Sequence, residues 1–245
     1  MEHQPLSCPE QLAQLQKEFD EFAYIVSHDL KAPVRAISNL SSWIEEDLGS
    51  DLAPDVKQNI DLLRNRTTRM ERMIEALLQY SRVTRMELEV VVTDLTRLLQ
   101  ELQDELPAHV QLELPTSLPV LLTYKAKLRQ VLRSLLQNAA TFTDKDYPTI
   151  VVRVQEQAQQ LVFEVEDDGC GIPEEALGSV FNLFYTVSPK DSVDTIGAGL
   201  AISKKIVQFA GGTIKAETNA RKGTTVRFTW PKVSEPDQQD LHYHE

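Results

Sequence analysis

Between Leu12 and Ser81 apolar residues return every three and four positions, in two long runs separated by "EEDLGSDLAP". That period belongs to helices, and Gly49 and Pro54 mark a turn between them. In the first run the seam is Leu12, Leu15, Phe19, Phe22 and Val26. It is disturbed around His28 and Pro33, then resumes at Ile37, Leu40 and Ile44. The second run, from about Pro54 into the low 80s, has a cleaner heptad: Val56, Ile60, Leu63, Thr67, Met70, Ile74, Leu77 and Ser81. Two helices alone cannot enclose so wide a stripe. The hairpin must pack on the rest of the chain or, as the bundle rules favour, on a second copy to make a four-helix bundle.

Beyond Glu89 the texture changes. "LEVVVTDL", "VQLELP" and "LPVLLTY" read as short strands, "LTRLLQELQDEL" and "KAKLRQVLRSLLQNAATF" as amphipathic helices. "TIVVRVQEQAQQLVFEVEDDG" alternates on both sides of a polar turn, the pattern of a β-hairpin. "AISKKIVQFAGG" is a helix stopped by glycines, and "TIKAET" with "TTVRFTWP" closes the chain as a second hairpin. The fold class expected is an α helical hairpin followed by an α/β sandwich with a mixed, largely antiparallel sheet. The expected divisions are a lead-in over 1–18, the hairpin over 19–88, the sandwich over 89–233 and a disordered polar tail over 234–245.

Charge and composition exclude several classes. A net charge of −12 over 245 residues argues against a nucleic-acid partner. No apolar run approaches the roughly 20 residues of a membrane span, and the N-terminus lacks the basic and apolar regions of a signal peptide. Cys8 and Cys170 lie in unrelated contexts and imply neither a disulfide framework nor a zinc site. A cytoplasmic location is the expectation.

Four stretches carry chemistry. In "SHDLKAPVRAI" a His28–Asp29 pair sits within a helical run that Pro33 damages. "VEDDGCGIP" ends a strand with acids and leads into Gly169-x-Gly171; Asp167 is placed to accept from an amine, though alone the stretch also reads as a tight turn with solvated acids. Gly197-Ala198-Gly199 opens a helix whose N–H groups suit phosphate, but such loops also cap many helices. Asn138 lies mid-helix, as a metal or phosphate ligand or as a plain exposed residue.

In this order the stretches resemble the boxes of the two-component sensor histidine kinases. "SHDLKAPVRAI" is similar to their histidine box, "LLQNAATFT" to the asparagine box, and "VEDDGCGIP" to the first glycine box. "VFNLFYTV" is similar to the phenylalanine box, "GAGLAI" to the second glycine box and "KGTTVRFTWP" to the closing glycine–threonine stretch. The resemblance runs from about Phe19 to Pro231. It implies a dimeric four-helix bundle plus an ATP-binding domain of the gyrase and chaperone type. It implies that His28 is phosphorylated from ATP and passes the phosphoryl group to an aspartate of a response-regulator receiver. Asn138 then matches the Mg²⁺ ligand and Asp167 the acceptor of the adenine amine. Gly169, Gly171, Gly197, Gly199 and Thr224 fall in the nucleotide-binding set, and residues 185–196 form the lid. Asp29 would hydrogen-bond the ring nitrogen that does not attack, and Pro33 would let the helix bend near His28.

Three positions depart from the family pattern: Ser134 where a further asparagine is usual, Thr141 where a basic residue is usual, and Thr195 for the first glycine of the second glycine box. They put turnover in doubt, and Lys190 in the lid is taken, from its position, as a substitute positive charge. Ala32, four residues after His28, lacks the polar group that phosphatase-active relatives place there, so weak phosphatase activity is expected. Ala32, Arg35 and Asn39 share the outward face that a receiver would cover. Few residues precede the histidine helix, so the expectation is either a cut-down core or a separate sensor protein that supplies the input through the Leu12–Phe22 seam. The alternative reading is a nucleotide-binding dimeric adaptor without turnover; an ATP-driven clamp leaves the histidine box unexplained.

Overall fold

The computed structural model describes residues 8–49, 53–84, 89–187 and 195–233. Lys190, the proposed tail, His3, His242 and His244 lie outside them. Among the described residues the chain forms α1 (Cys8–Leu48), α2 (Pro54–Arg82), β1 (Val91–Asp94), α3 (Leu95–Gln103), β2 (Gln111–Glu113), β3 (Val120–Thr123), α4 (Lys125–Thr141), β4 (Thr149–Glu156), β5 (Gln160–Asp167), α5 (Gly199–Phe209), β6 (Ile214–Thr218) and β7 (Thr224–Pro231). None of these helices is long and apolar enough to cross a membrane.

α1 and α2 form the hairpin, and α1 continues as one helix through Pro33. Within the chain the helices meet through a second, less apolar seam. Ala23, Ser27, Val34 and Ser41 of α1 are buried, as are Ile60, Thr67, Ile74, Leu78 and Ser81 of α2. Small residues let the backbones approach. Ser41, Thr67 and Ser81 each donate a hydroxyl to a carbonyl one turn back, which satisfies them without a cross-helix partner. The apolar seam of α1 points outward instead: Phe19, Phe22, Ile37, Leu40, Trp43 and Ile44 are exposed, with Leu63 and Met70 of α2.

The sandwich has a sheet ordered β2-β4-β5-β7-β6, antiparallel except for the parallel β2–β4 pair. β1 and β3 pair antiparallel as a separate two-stranded sheet, which the sequence pattern did not reveal. Alternate residues of the central strands, Leu161, Phe163 and Val165 of β5 and Val226, Phe228 and Trp230 of β7, join Leu128, Leu132 and Leu136 of α4 and Ile206 of α5 in one core. Phe163 and Phe228 stack at 4.7 Å, and Trp230 Nε1 donates to Thr123 Oγ1 at 2.7 Å, tying the small sheet to the large one.

Hairpin and sandwich are joined by a buried ion pair. Lys205 Nζ of α5 donates to Asp20 Oδ1 of α1 at 2.8 Å, their side chains 10% and 3% exposed. Thr84 donates to the second Asp20 oxygen at 2.8 Å, and the Tyr80 ring lies 4.2 Å from Lys205 Nζ. Burial, with the Asp20 charge beside it, raises the Tyr80 pKa. A buried pair adds little net stability, because separation rehydrates both ions, but it admits few alternative dockings. Asp20 meets Lys205 and Thr84 together in this register of the two halves.

Candidate active site

α4 and α5 pack against each other over the sheet. With the end of β5 and one face of α2 they enclose a cavity of about 1020 Å³. Asp167 sits at the end of β5 in its wall. Its Oδ1 accepts from the backbone N–H groups of Gly169 and Thr224, both at 3.0 Å, and Asn219 Nδ2 donates to its carbonyl at 2.7 Å. Burial pushes the Asp167 pKa up; the two backbone donors oppose this, and the charges of Asp168 and Glu166 add to it. Gly171 has φ +72°, and a Cβ there would stand 2.2 Å from the Lys222 carbonyl oxygen. Only glycine lets this loop lie against the turn that holds Thr224.

The second glycine loop brings α5 against α4. A Cβ on Gly199 would lie 2.7 Å from Ser134 Oγ and 3.7 Å from Asn138 Oδ1. Ser134 and Asn138, one turn apart on α4, thus face the start of α5, and both line the cavity. Among the described residues no side chain caps α5, and N–H groups at such a helix start suit an anion. Thr141 also reaches the cavity, but its hydroxyl donates to the Gln137 carbonyl at 2.7 Å and supplies no charge. The Thr195 carbonyl accepts from Arg69 Nη1 of α2 at 3.3 Å.

His28 stands apart on the hairpin, its side chain 72% exposed, with Nδ1 3.1 Å from Asp29 Oδ1. With Nδ1 assigned the proton shared with Asp29, Nε2 carries the free lone pair. The Tyr24 ring, on the preceding turn, stacks with the imidazole at a centroid distance of 6.5 Å. Ala32, Arg35 and Asn39 are exposed along α1.

Two corrections follow. The acids around the first glycine box are ion-paired rather than simply solvated: Asp168 with Lys145 at 2.7 Å, Glu166 with Arg153 at 2.6 Å, and Glu164 with Arg227 Nε at 2.7 Å. The cavity is also not made by the sandwich alone, since Arg72, Glu75, Ala76 and Gln79 of α2 line it. No sequence signal marked them, because charged residues on a heptad helix read as a solvated face.

Two family models match. Residues 20–85 match the His Kinase A (phospho-acceptor) domain, and residues 123–234 match the histidine kinase-, DNA gyrase B- and HSP90-like ATPase. The chain is 34% identical over 230 residues to cyanobacterial phytochrome B of Nostoc sp., covering 91% of this chain and 31% of that protein. It is 28% identical to the sensor histidine kinase WalK of Bacillus subtilis, covering 91% of this chain and 38% of that one. It spans about a third of the length of the curated relatives it matches. Full-length ShkA in complex with AMPPNP superposes with a TM-score of 0.65 at 20% identity, over 89% of this chain and 47% of that one, a likeness of fold. The chain belongs to the sensor histidine kinases and carries their catalytic core, a phospho-acceptor hairpin followed by an ATP-binding domain.

Proposed function

We propose that the protein is an ATP-dependent histidine autokinase that phosphorylates His28 and passes the phosphoryl group to an aspartate of a response-regulator receiver. The observation that carries this reading is an exposed His28 whose Nδ1 is engaged by Asp29 while Nε2 is open. ATP fits the cavity by its chemistry. The anchored Asp167 carboxylate meets the adenine amine. The glycine loop and the uncapped start of α5 meet the phosphates, and Asn138 beside them offers an amide oxygen to Mg²⁺, which when bound offsets phosphate charge. Gly169, Gly171, Gly197, Gly199 and Thr224 shape this site. Nε2 attacks the γ-phosphorus, the bond to the β–γ bridging oxygen breaks, and ADP leaves. Asp29 stabilises the positive ring and draws on the Nδ1 proton. Incubation with γ-labelled ATP tests the reading: label that is acid-labile and base-stable means a phosphohistidine, and bound nucleotide with no label means a non-catalytic adaptor.

The outward seam of the hairpin supports a homodimer. Leu63 and Met70 are exposed in the single chain, so Leu63→Glu with Met70→Glu leaves the fold intact. In a four-helix bundle the same pair buries charge at several kcal/mol. Sedimentation is expected to show a monomer; a tight dimer would place the interface elsewhere.

Ala32 is exposed one turn beyond His28 and cannot orient a water molecule. Decay of purified phospho-regulator is expected to stay near its spontaneous rate with this protein, and Ala32→Thr to accelerate it. Fast decay with the unmodified chain, persisting in His28→Gln, would refute this.

A further inference from the structure

His28 is exposed, yet its ring must offer one particular nitrogen in one direction. The hydrogen bond between Nδ1 and Asp29 Oδ1 at 3.1 Å fixes one edge of the imidazole. A single contact at an edge leaves the plane of the ring free to swing. Among the described residues the other ring contact of His28 is Tyr24, one turn earlier on α1. Side chains on a helix lean toward its N-terminus, so the imidazole lies over the turn that carries Tyr24. The two rings are 25° from parallel with centroids 6.5 Å apart, an offset stack.

Tyr24 is held where His28 is not. It is half-buried and packs against the cluster of Val34 on α1 with Ile74 and Leu78 on α2. The Arg82 guanidinium, also from α2, lies over its ring at 5.4 Å from the centroid. A ring anchored by the hairpin core thus backs a ring exposed to solvent. The consequence is chemical. A neutral imidazole without a partner favours the proton on Nε2, which leaves that nitrogen no lone pair for attack. Half a turn of the ring would likewise take Nδ1 away from Asp29. Fixing the plane as well as the edge keeps the proton on Nδ1 and the lone pair on Nε2.

We infer that Tyr24 is a positioning residue for the phosphoryl-accepting histidine. Its core-held ring keeps the His28 imidazole in the plane where Nδ1 meets Asp29 and Nε2 stays open. The inference rests on His28 being the nucleophile of the autokinase.

Timed labelling of the full chain with γ-labelled ATP and Mg²⁺ tests this, beside nitrogen-15 NMR of the imidazole without nucleotide, at a pH where the ring is neutral. Tyr24→Leu keeps an apolar side chain against Val34, Ile74 and Leu78 and removes the ring. It is expected to lower the maximal labelling rate about two- to tenfold, the worth of one aromatic stack. The ATP concentration for half-maximal rate stays unchanged, because Tyr24 is not among the described residues that line the cavity. Tyr24→Phe keeps the ring face and labels at nearly the unmodified rate. The NMR spectra show the proton on Nδ1 in the unmodified chain and in Tyr24→Phe, and shared with Nε2 in Tyr24→Leu. An unchanged maximal rate or an unchanged tautomer in Tyr24→Leu overturns the inference. Equal losses in Tyr24→Phe and Tyr24→Leu also overturn it, because the hydroxyl and not the stack is then what matters. If the unmodified chain takes no label, the autokinase reading is what fails, and the tautomers still decide for or against the role of Tyr24.

Discussion

A His28→Gln chain is expected to bind ATP with unchanged affinity and to take up no phosphoryl group at all. Glutamine keeps the size and polarity of the site, and at 72% exposure the imidazole holds no core together, so folding is not at stake. What disappears is the ring nitrogen that Asp29 prepares for attack. Among the described histidines the alternative is His109, which is exposed and has no such acid beside it. Asp29→Asn separates positioning from nucleophilicity. Its amide still meets Nδ1 but no longer stabilises the growing positive charge, so labelling should slow by about 10²- to 10⁴-fold without vanishing. The measurement is acid-labile label per chain after a timed pulse, with nucleotide affinity followed in parallel. Label of equal stability and yield in His28→Gln would move the phosphorylated residue elsewhere and dissolve the role given to Asp29.

The parts of this architecture that the sequence revealed are those whose cause is local. The heptad of α2, the alternation of β4 and β5 and the glycines after Asp167 each state their own period or turn, and the structure agrees. What stayed hidden depends on long-range pairing. β1 and β3 are four residues each, too short to declare a partner, and they pair across α3. The seam of α1 announced an apolar stripe but not its direction. Inside the chain α1 meets α2 through Ala23, Ser27 and Ser41, whose small size permits close approach, and the larger side chains are left facing out. Asp20 and Lys205 lie 185 positions apart and each reads as a surface charge. Only their mutual burial makes them a joint, and α2 beside it lines part of the cavity. The substitution at Ser134 is the reverse case. The sequence marked it as a departure, and the structure shows it in the wall, within contact distance of any side chain added at Gly199.

The second large effect is expected at Asp167. In Asp167→Asn the retained Oδ1 still accepts from Gly169 and Thr224, so the loop keeps its shape. The outer oxygen becomes an NH₂ group, which faces the adenine amine donor to donor. Affinity for ATP should fall by about 10²-fold, near 2 to 3 kcal/mol, because a charge-assisted hydrogen bond is removed and a donor is left unpaired. Inosine triphosphate carries an acceptor where adenine has its amine, so the variant should prefer inosine triphosphate and the unmodified protein ATP. The elevated Asp167 pKa adds a pH signature. Burial favours the neutral carboxyl in the free protein, so Asp167 stabilises the fold fully below its unfolded pKa, and that contribution disappears as pH rises through the folded value. ATP needs the ionised form. Its affinity should therefore weaken as pH falls through the raised folded pKa, with a proton released on binding in that window, and Asp167→Asn should abolish both the slope and the proton release. Titrations with ATP and inosine triphosphate across the acid range decide it. Unchanged base preference in the variant would remove the adenine from the Asp167 end of the cavity.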